Sequence, residues 1–219
     1  NATCSRMRGK IPQGVSLTHD TLFDGALRLA QPARGHRIGT DAVLLAAACP
    51  PGAERIVDFG CGVGAVGLRA AQMNPAARMA LVDIDAGTLA LAEANGHANG
   101  LGGACRTVLA DGMARGFPAP ALGLAGWADV VLTNPPFAEA GRGQASPDAD
   151  RARAHVLTGP LDIWVKGALA CLAPGGTLVM IHRADAVQAI LAALARRFGG
   201  VRLRFIHPHA DAPAHRVLV

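Results

Sequence analysis

Two short stretches carry residue types and spacings capable of chemistry. The first, Val57 to Gly67, reads VDFGCGVGAVG: an apolar run reaches Asp58 and breaks into Gly60, Gly62 and Gly64 before helix-forming residues from Ala65 to Ala71. That order describes a strand, a tight turn and a helix. The glycines leave bare backbone at the helix N-terminus, where a nucleotide can lie. The second stretch, Asp129 to Phe137, reads DVVLTNPPF, and its two prolines lock the backbone directly after Asn134. The Asn134 side-chain oxygen and the Pro135 carbonyl can accept both hydrogens of an amino group on a flat ring. Pro136 stiffens the turn and Phe137 can stack on that ring.

The glycine turn alone admits two nucleotide classes. Gly62-Val63-Gly64-Ala65-Val66-Gly67 satisfies G-x-G-x-x-G, and Asp83 follows about 20 residues on, as a dinucleotide fingerprint requires. The same segment also reads Asp58-x-Gly60-x-Gly62-x-Gly64, with the acid inside the strand end. A downstream site for an amino acceptor, at Asn134, favours the second reading.

The elements that must position these stretches alternate strand and helix. Thr18 to Leu29 reads as a hairpin or cap over the site. Ala42 to Cys49 reads as a helix, before which Thr40 and Asp41 either cap the N-terminus or face a ligand. A helix is expected over Ala65 to Met73 and a strand over Arg78 to Val82, ended by Asp83 and Ile84. Asp83 there lies beside the ribose of a bound nucleotide. Asp85 caps a helix from Ala86 to Asn95, and Asn95 to Gly103 reads as loop. A strand over Cys105 to Leu109 closes on Asp111 and Gly112; Asp111 either accepts from an adenine amino group or caps the next turn. After Phe137, residues 138–154 form a long loop offering Arg142, Arg151 and Arg153 to phosphates. A helix over Leu161 to Leu172, a turn at Pro174 to Gly176, a strand over Thr177 to Ile181, a helix over Ala186 to Phe198 and a strand over Val201 to Ile206 follow. A last strand returns toward Val219. His207, His209 and His215 line a loop or face substrate rather than bind metal, for want of an acidic partner.

Length and composition bound the rest. The 219 residues suit one domain, expected as a tail at 1–17 and a single unit at 18–219, with 18–52 a cap region and 53–219 the core. Five cysteines lie far apart without a C-x-x-C pair, so neither a zinc site nor a disulfide framework is read, and a reducing cytoplasmic setting is the expectation. No membrane-spanning run is present. The net charge of +5 admits nucleic acid as a partner. Lysine occurs only at Lys10 and Lys166, so arginine carries that charge, and from Arg183 onward it gathers at Arg196, Arg197, Arg202, Arg204 and Arg216 against Asp185 and Asp211.

With these pieces in place, Asp58-x-Gly60-x-Gly62-x-Gly64 resembles motif I, and Asn134-Pro135-Pro136-Phe137 motif IV, of the S-adenosylmethionine-dependent amino-group methyltransferases. Arg37-x-Gly39-Thr40-Asp41-Ala42, the Ala173 to Gly176 turn and Ala214-His215-Arg216-Val217-Leu218 make the chain similar to the bacterial tRNA(Val) adenine N6-methyltransferases, from about Asp20 to the C-terminus. The resemblance implies an α/β, doubly wound, Rossmann-like sheet in the order 3-2-1-4-5-7-6 with the last strand antiparallel, whose pairing a further C-terminal tail would complete. It implies S-adenosylmethionine as cofactor, held by Thr40, Asp58, Gly60, Cys61, Gly62, Gly64, Asp83, Ile84, Asp111, Gly112 and Asn134, with Cys61 a small residue that fits the turn. The implied catalytic set is Asn134, Pro135, Pro136 and Phe137, the substrate a tRNA, and no metal takes part. A ribosomal RNA guanine, a protein glutamine, or a non-catalytic cofactor-binding role are the alternatives.

Overall fold

A computed structural model describes residues 16–34, 37–136 and 161–219; most of the expected tail, Phe137 and the 138–154 loop lie outside the described residues. The three central strands of the main sheet are nearly unbroken apolar runs. These are β3 (Arg55–Phe59), β4 (Arg78–Asp83) and β6 (Ala128–Thr133). Such runs form strands covered on both faces. They pair in parallel with one another and with β5 (Cys105–Leu109) and β7 (Leu172–Arg183), while β9 (Arg216–Leu218) inserts antiparallel between β7 and the edge strand β8 (Arg204–Ile206). The resulting order, β5-β4-β3-β6-β7-β9-β8, is the expected 3-2-1-4-5-7-6.

Helices α1 (Thr40–Ala47), α2 (Ala65–Met73) and α3 (Ala86–Ala98) bury small and branched residues against one face, with Leu45, Leu68 and Ile56 in a shared core. Helices α4 (Leu161–Cys171) and α5 (Val187–Leu194) cover the other.

Helix α1 starts two residues earlier and ends two earlier than expected, β7 runs two residues past Ile181, and four further boundaries differ for identifiable reasons. Helix α3 runs three residues past Asn95, because Gly96 packs against Leu68 and the amides of Asn95 and Asn99 find partners outside the helix. The Ala173 to Gly176 segment is an irregularity inside β7 rather than a turn before it: Ala128 pairs with Leu172 and Val130 with Thr177. The helix expected over Ala186 to Phe198 is a short 3-10 turn, Ala184–Ala186, followed by α5, and it stops before Arg196 takes a left-handed φ of 63°. The strand expected from Val201 begins only at Arg204.

The hairpin of β1 (Leu17–Leu22) and β2 (Leu27–Pro32) is a separate two-stranded sheet. Leu27, Leu29 and Gln31 alternate inward. Its outer backbone pairs with side chains of α3. Asn95 accepts from the Ala30 N–H at 2.8 Å and donates to its carbonyl at 3.0 Å, and Asn99 does the same for Arg28 at 3.0 and 2.7 Å. Asn95 also donates to the Val63 carbonyl in the glycine turn.

These two asparagines differ in what their loss exposes. Asn95→Ala strands buried groups and is expected to cost about 2–3 kcal/mol, whereas Asn99→Ala frees groups that water can reach and costs about 0.5–1 kcal/mol. Urea denaturation midpoints of the two variants check this ordering.

Candidate active site

The two chemical stretches end side by side because their strands are register neighbours: Asp58 pairs with Leu132, and Phe59 with Thr133. One residue further on, the chain turns at Gly60 in one strand and reaches Asn134 in the other. The buried Thr133 hydroxyl donates to the Phe59 carbonyl at 2.7 Å and accepts from the Trp164 indole N–H at 2.9 Å. Trp164 stands edge-on to Phe59, with ring centroids 4.9 Å apart. A Cβ on Gly60, whose φ is 78°, would fall 2.8 Å from the Trp164 ring, so only glycine fits there. Neither Thr133 nor Trp164 was singled out from the sequence. A lone tryptophan on an amphipathic helix, in a chain with 4% aromatic residues, was the available signal.

Asp58 is buried and accepts from the Gly67 N–H at 2.7 Å, tying the strand end to the first turn of α2. Burial pushes its carboxyl up to about 7; the Gly67 N–H opposes that rise and the Asp83 charge adds to it. Asp83 accepts from the Gly62 N–H at 2.8 Å through one oxygen and from the Asp85 N–H at 3.0 Å through the other. Burial also raises its pKa, against those two N–H groups. Asp85 caps α3 by accepting from the Thr88 N–H at 2.7 Å, as expected.

Gly62 has a φ of 53° and open space where a Cβ would stand, so bare backbone faces outward beside Asp83. Gly64, φ 89°, is the residue from which α2 starts. Cys61 is buried, and its thiol lies 3.4 Å from the Gly62 carbonyl. Ile84 is 43% exposed at the end of β4, an apolar surface next to a carboxylate. Asp111 is exposed and accepts from the Met113 N–H at 2.9 Å, so one of its oxygens stabilises the turn. A Cβ on Gly112 would enter the Phe59 ring.

Pro135 is buried and Pro136 exposed. The Asn134 side-chain oxygen is buried and has no hydrogen-bond partner among the described residues. Desolvating an acceptor without a partner costs about 1–3 kcal/mol, and such an atom at a strand end marks a place where a donor is missing.

Thr40 is the exposed first residue of α1, and neither it nor Asp41 caps the helix, since Gly39 occupies the N-cap without a side chain. Asp41 instead receives the Arg216 Nε–H, 2.9 Å from each carboxylate oxygen. The two signature segments around Gly39 and Arg216, 175 residues apart, thus meet in one half-buried ion pair. Among the described residues no group of three or more His, Cys, Asp or Glu could hold a metal ion, and no helix is long and apolar enough to cross a membrane.

A protein-family model described as methyltransferase small domain matches residues 36–205. The ribosomal RNA large subunit methyltransferase G of Streptomyces avermitilis is 37% identical over 130 residues, which is 59% of this chain and 29% of that protein. The tRNA1(Val) (adenine(37)-N6)-methyltransferase of Porphyromonas gingivalis is 32% identical over 158 residues, 69% of this chain and 60% of that protein. The chain therefore spans less than two thirds of either relative. Among solved structures, a predicted O-methyltransferase from Agrobacterium tumefaciens superposes with a TM-score of 0.66 at 28% identity, covering 81% of this chain and 78% of that one.

Thr133→Val removes one hydroxyl and leaves both the Phe59 carbonyl and the Trp164 N–H without partners, at an expected cost of about 2–3 kcal/mol. Trp164→Phe costs less, and the double variant costs less than the sum because the partners are shared; urea titrations of the four proteins check the cycle. Asp58 gives a pH signature. Between its usual value and about 7 the unfolded chain has lost the proton that the folded chain keeps, so stability falls as pH rises through that window. Asp58→Asn mimics the neutral acid and removes the effect. Its melting temperature relative to the parent should therefore rise between about pH 4 and pH 8.

Proposed function

The chain belongs to the methyltransferase small domain family, and on that premise we propose that it methylates the exocyclic amino group of an adenine in RNA, with a tRNA anticodon loop as the substrate. The observation that carries this reading is the partnerless Asn134 oxygen, held by Thr133 and Pro135 beside the glycine turn. An amino hydrogen on a planar base is the donor that it lacks.

S-adenosylmethionine, when bound, supplies an electrophilic methyl group on a sulfonium. The residues at the turn fit such a ligand. Gly62 offers open backbone, each Asp83 oxygen keeps a lone pair for a ribose hydroxyl, Ile84 offers apolar surface to a base, and the paired acids Asp58 and Asp83 favour a cation nearby. Asp111 has a second carboxylate oxygen available to an adenine amino group. Thr40, Cys61, Gly60, Gly64 and Gly112 shape the walls of this site.

An adenine amino group is a weak nucleophile because its lone pair is delocalised into the ring. Acceptors at the Asn134 side chain and the Pro135 carbonyl draw its two hydrogens out of the ring plane, which localises the lone pair and aims it in line. Asn134 is no base, so the proton that the amino group would lose on taking the methyl would go to water, the neutral thioether of the spent cofactor being the leaving group. Rate enhancement comes from positioning and fixed dipoles. The base must leave its stack to reach Asn134, which costs least in an unpaired loop.

A guanine amino group in ribosomal RNA is the second reading, supported by the similarity to the Streptomyces protein. Radiolabelled methyl transfer to bulk tRNA, bulk ribosomal RNA and a ribosome-free protein extract separates these. Label recovered from tRNA as N6-methyladenosine is expected. Asn134→Ala should lower transfer about a hundredfold or more while cofactor affinity holds. Asp83→Ala should instead weaken cofactor binding. Label confined to ribosomal RNA or protein would overturn the tRNA reading.

A further inference from the structure

The end of the sheet that carries Asn134 is not level. Thr133 pairs with Met180, and β7 continues three residues further to Arg183, so β7 rises about 10 Å above the level of Thr133. Antiparallel pairing brings Arg216 of β9 beside Arg183, and Ile206 of β8 beside Arg216. The loop from His207 to His215 closes this raised edge, with the His207 Nδ1–H bonded to the Ala212 carbonyl at 2.8 Å so that Nε2 is left over. The His215 N–H bonds to the Ile206 carbonyl, and Arg216 is fixed to Asp41. One flank of the approach to Asn134 is therefore a firm wall.

The two halves of this sheet end differ in charge. Over β4 and β5 lie Asp83, Asp85 and Asp111, with Arg115 beyond them. Over β7, β9 and β8, Arg183 is paired with Asp185 and Arg216 with Asp41, and His207, His209 and His215 share the loop with Asp211. Arg202 and Arg204 follow down the free edge; both are exposed, and neither has an ion-pair partner among the described residues. The opposite edge strand makes a contrast, because Arg106 of β5 is consumed by the Leu122 and Gly123 carbonyls and the Trp127 ring. Phe205, 47% exposed, pairs with Val217 and so points to the other face of this edge strand.

From this asymmetry we propose that RNA reaches Asn134 across the β7-β9-β8 side, its phosphates on Arg202 and Arg204. The proposal rests on the reading of the acceptor as RNA. Phosphates brought in over β4 and β5 would meet three carboxylates, whereas the free edge on the other side offers Arg202 and Arg204, which have no ion-pair partner among the described residues. Three strand spacings separate β6 from β8, about 14 Å, a gap that a short single-stranded flank can span.

The test measures affinity for end-labelled bulk bacterial tRNA at several salt concentrations. The proteins are the parent, Arg202→Glu/Arg204→Glu, Arg202→Lys/Arg204→Lys, and Arg78→Glu at the opposite end of the sheet. The double glutamate variant should lose at least tenfold in affinity and reduce the salt slope by about 1.5. The double lysine variant should stay within about threefold, since lysine keeps the charge and binds a phosphate as a point charge. Arg78→Glu should bind as the parent does. Calorimetric binding of S-adenosylmethionine, unchanged in all four, establishes that each is folded. Parent-like affinity and slope in the double glutamate variant, or an equal loss in Arg78→Glu, would overturn the surface while leaving the RNA reading intact if the parent still labels RNA. A parent that neither binds nor labels RNA overturns both.

Discussion

The Thr133 hydroxyl is the interaction on which the rest of the site depends. It accepts from Trp164 and donates to Phe59, so one buried oxygen joins the ends of β3 and β6 and the first turns of α4. Asn134 follows it directly and Gly60 follows its acceptor. The glycine turn and the amino-group turn are therefore not merely adjacent; their separation is set by a hydrogen-bonded relay shielded from water. A low local dielectric strengthens such bonds and penalises their loss, which makes the spacing stiff. In the proposed reaction, where position and fixed dipoles are the catalytic devices, that stiffness matters.

Burial does a second job at the same sheet end. Asp58 is held in the core and accepts one N–H, from Gly67, which is too little to keep a carboxylate fully ionised at neutral pH. Its carboxyl resists charge until a cation comes near. Asp83, with two backbone N–H partners, is less extreme. Two acids whose charge is disfavoured by burial gain most from a positively charged ligand.

The architecture was legible because it is written in runs: apolar strands ended by Asp58, Asp83 and Thr133, glycines at the turn, helices with capping acids such as Asp85. Those signals are local, and the strand order followed from the resemblance that they support. What was not legible is pairwise and distant. Nothing local links Asp41 to Arg216, and the pairing of Trp164 with Thr133 joins single residues 31 apart that form no repeated pattern. Past Asn95 the sequence reads as loop because Gly96 is a poor helix former, yet tertiary bonds from Asn95 and Asn99 to the hairpin and the fit of Gly96 against Leu68 outweigh that preference. The unsatisfied Asn134 oxygen is a property of packing and has no sequence signature at all.

The way the hairpin is mounted has a further consequence. Four residues along a helix advance about 6 Å, and two residues along a strand about 6.6 Å. Asn95 and Asn99 can therefore imitate one step of a neighbouring strand, and the two spacings coincide closely enough for a single setting. The hairpin thus plugs into a socket in which α3 supplies four hydrogen bonds and α2 a fifth, from Gln72 to the Ala26 carbonyl, with Leu27 and Leu29 buried beneath it, without joining the seven-stranded sheet. Exchanging it would leave no strand edge of that sheet unpaired. It is an interchangeable part, and a different cap carrying the same two backbone pairs and the same two apolar anchors could be fitted without redesigning the catalytic end of the fold.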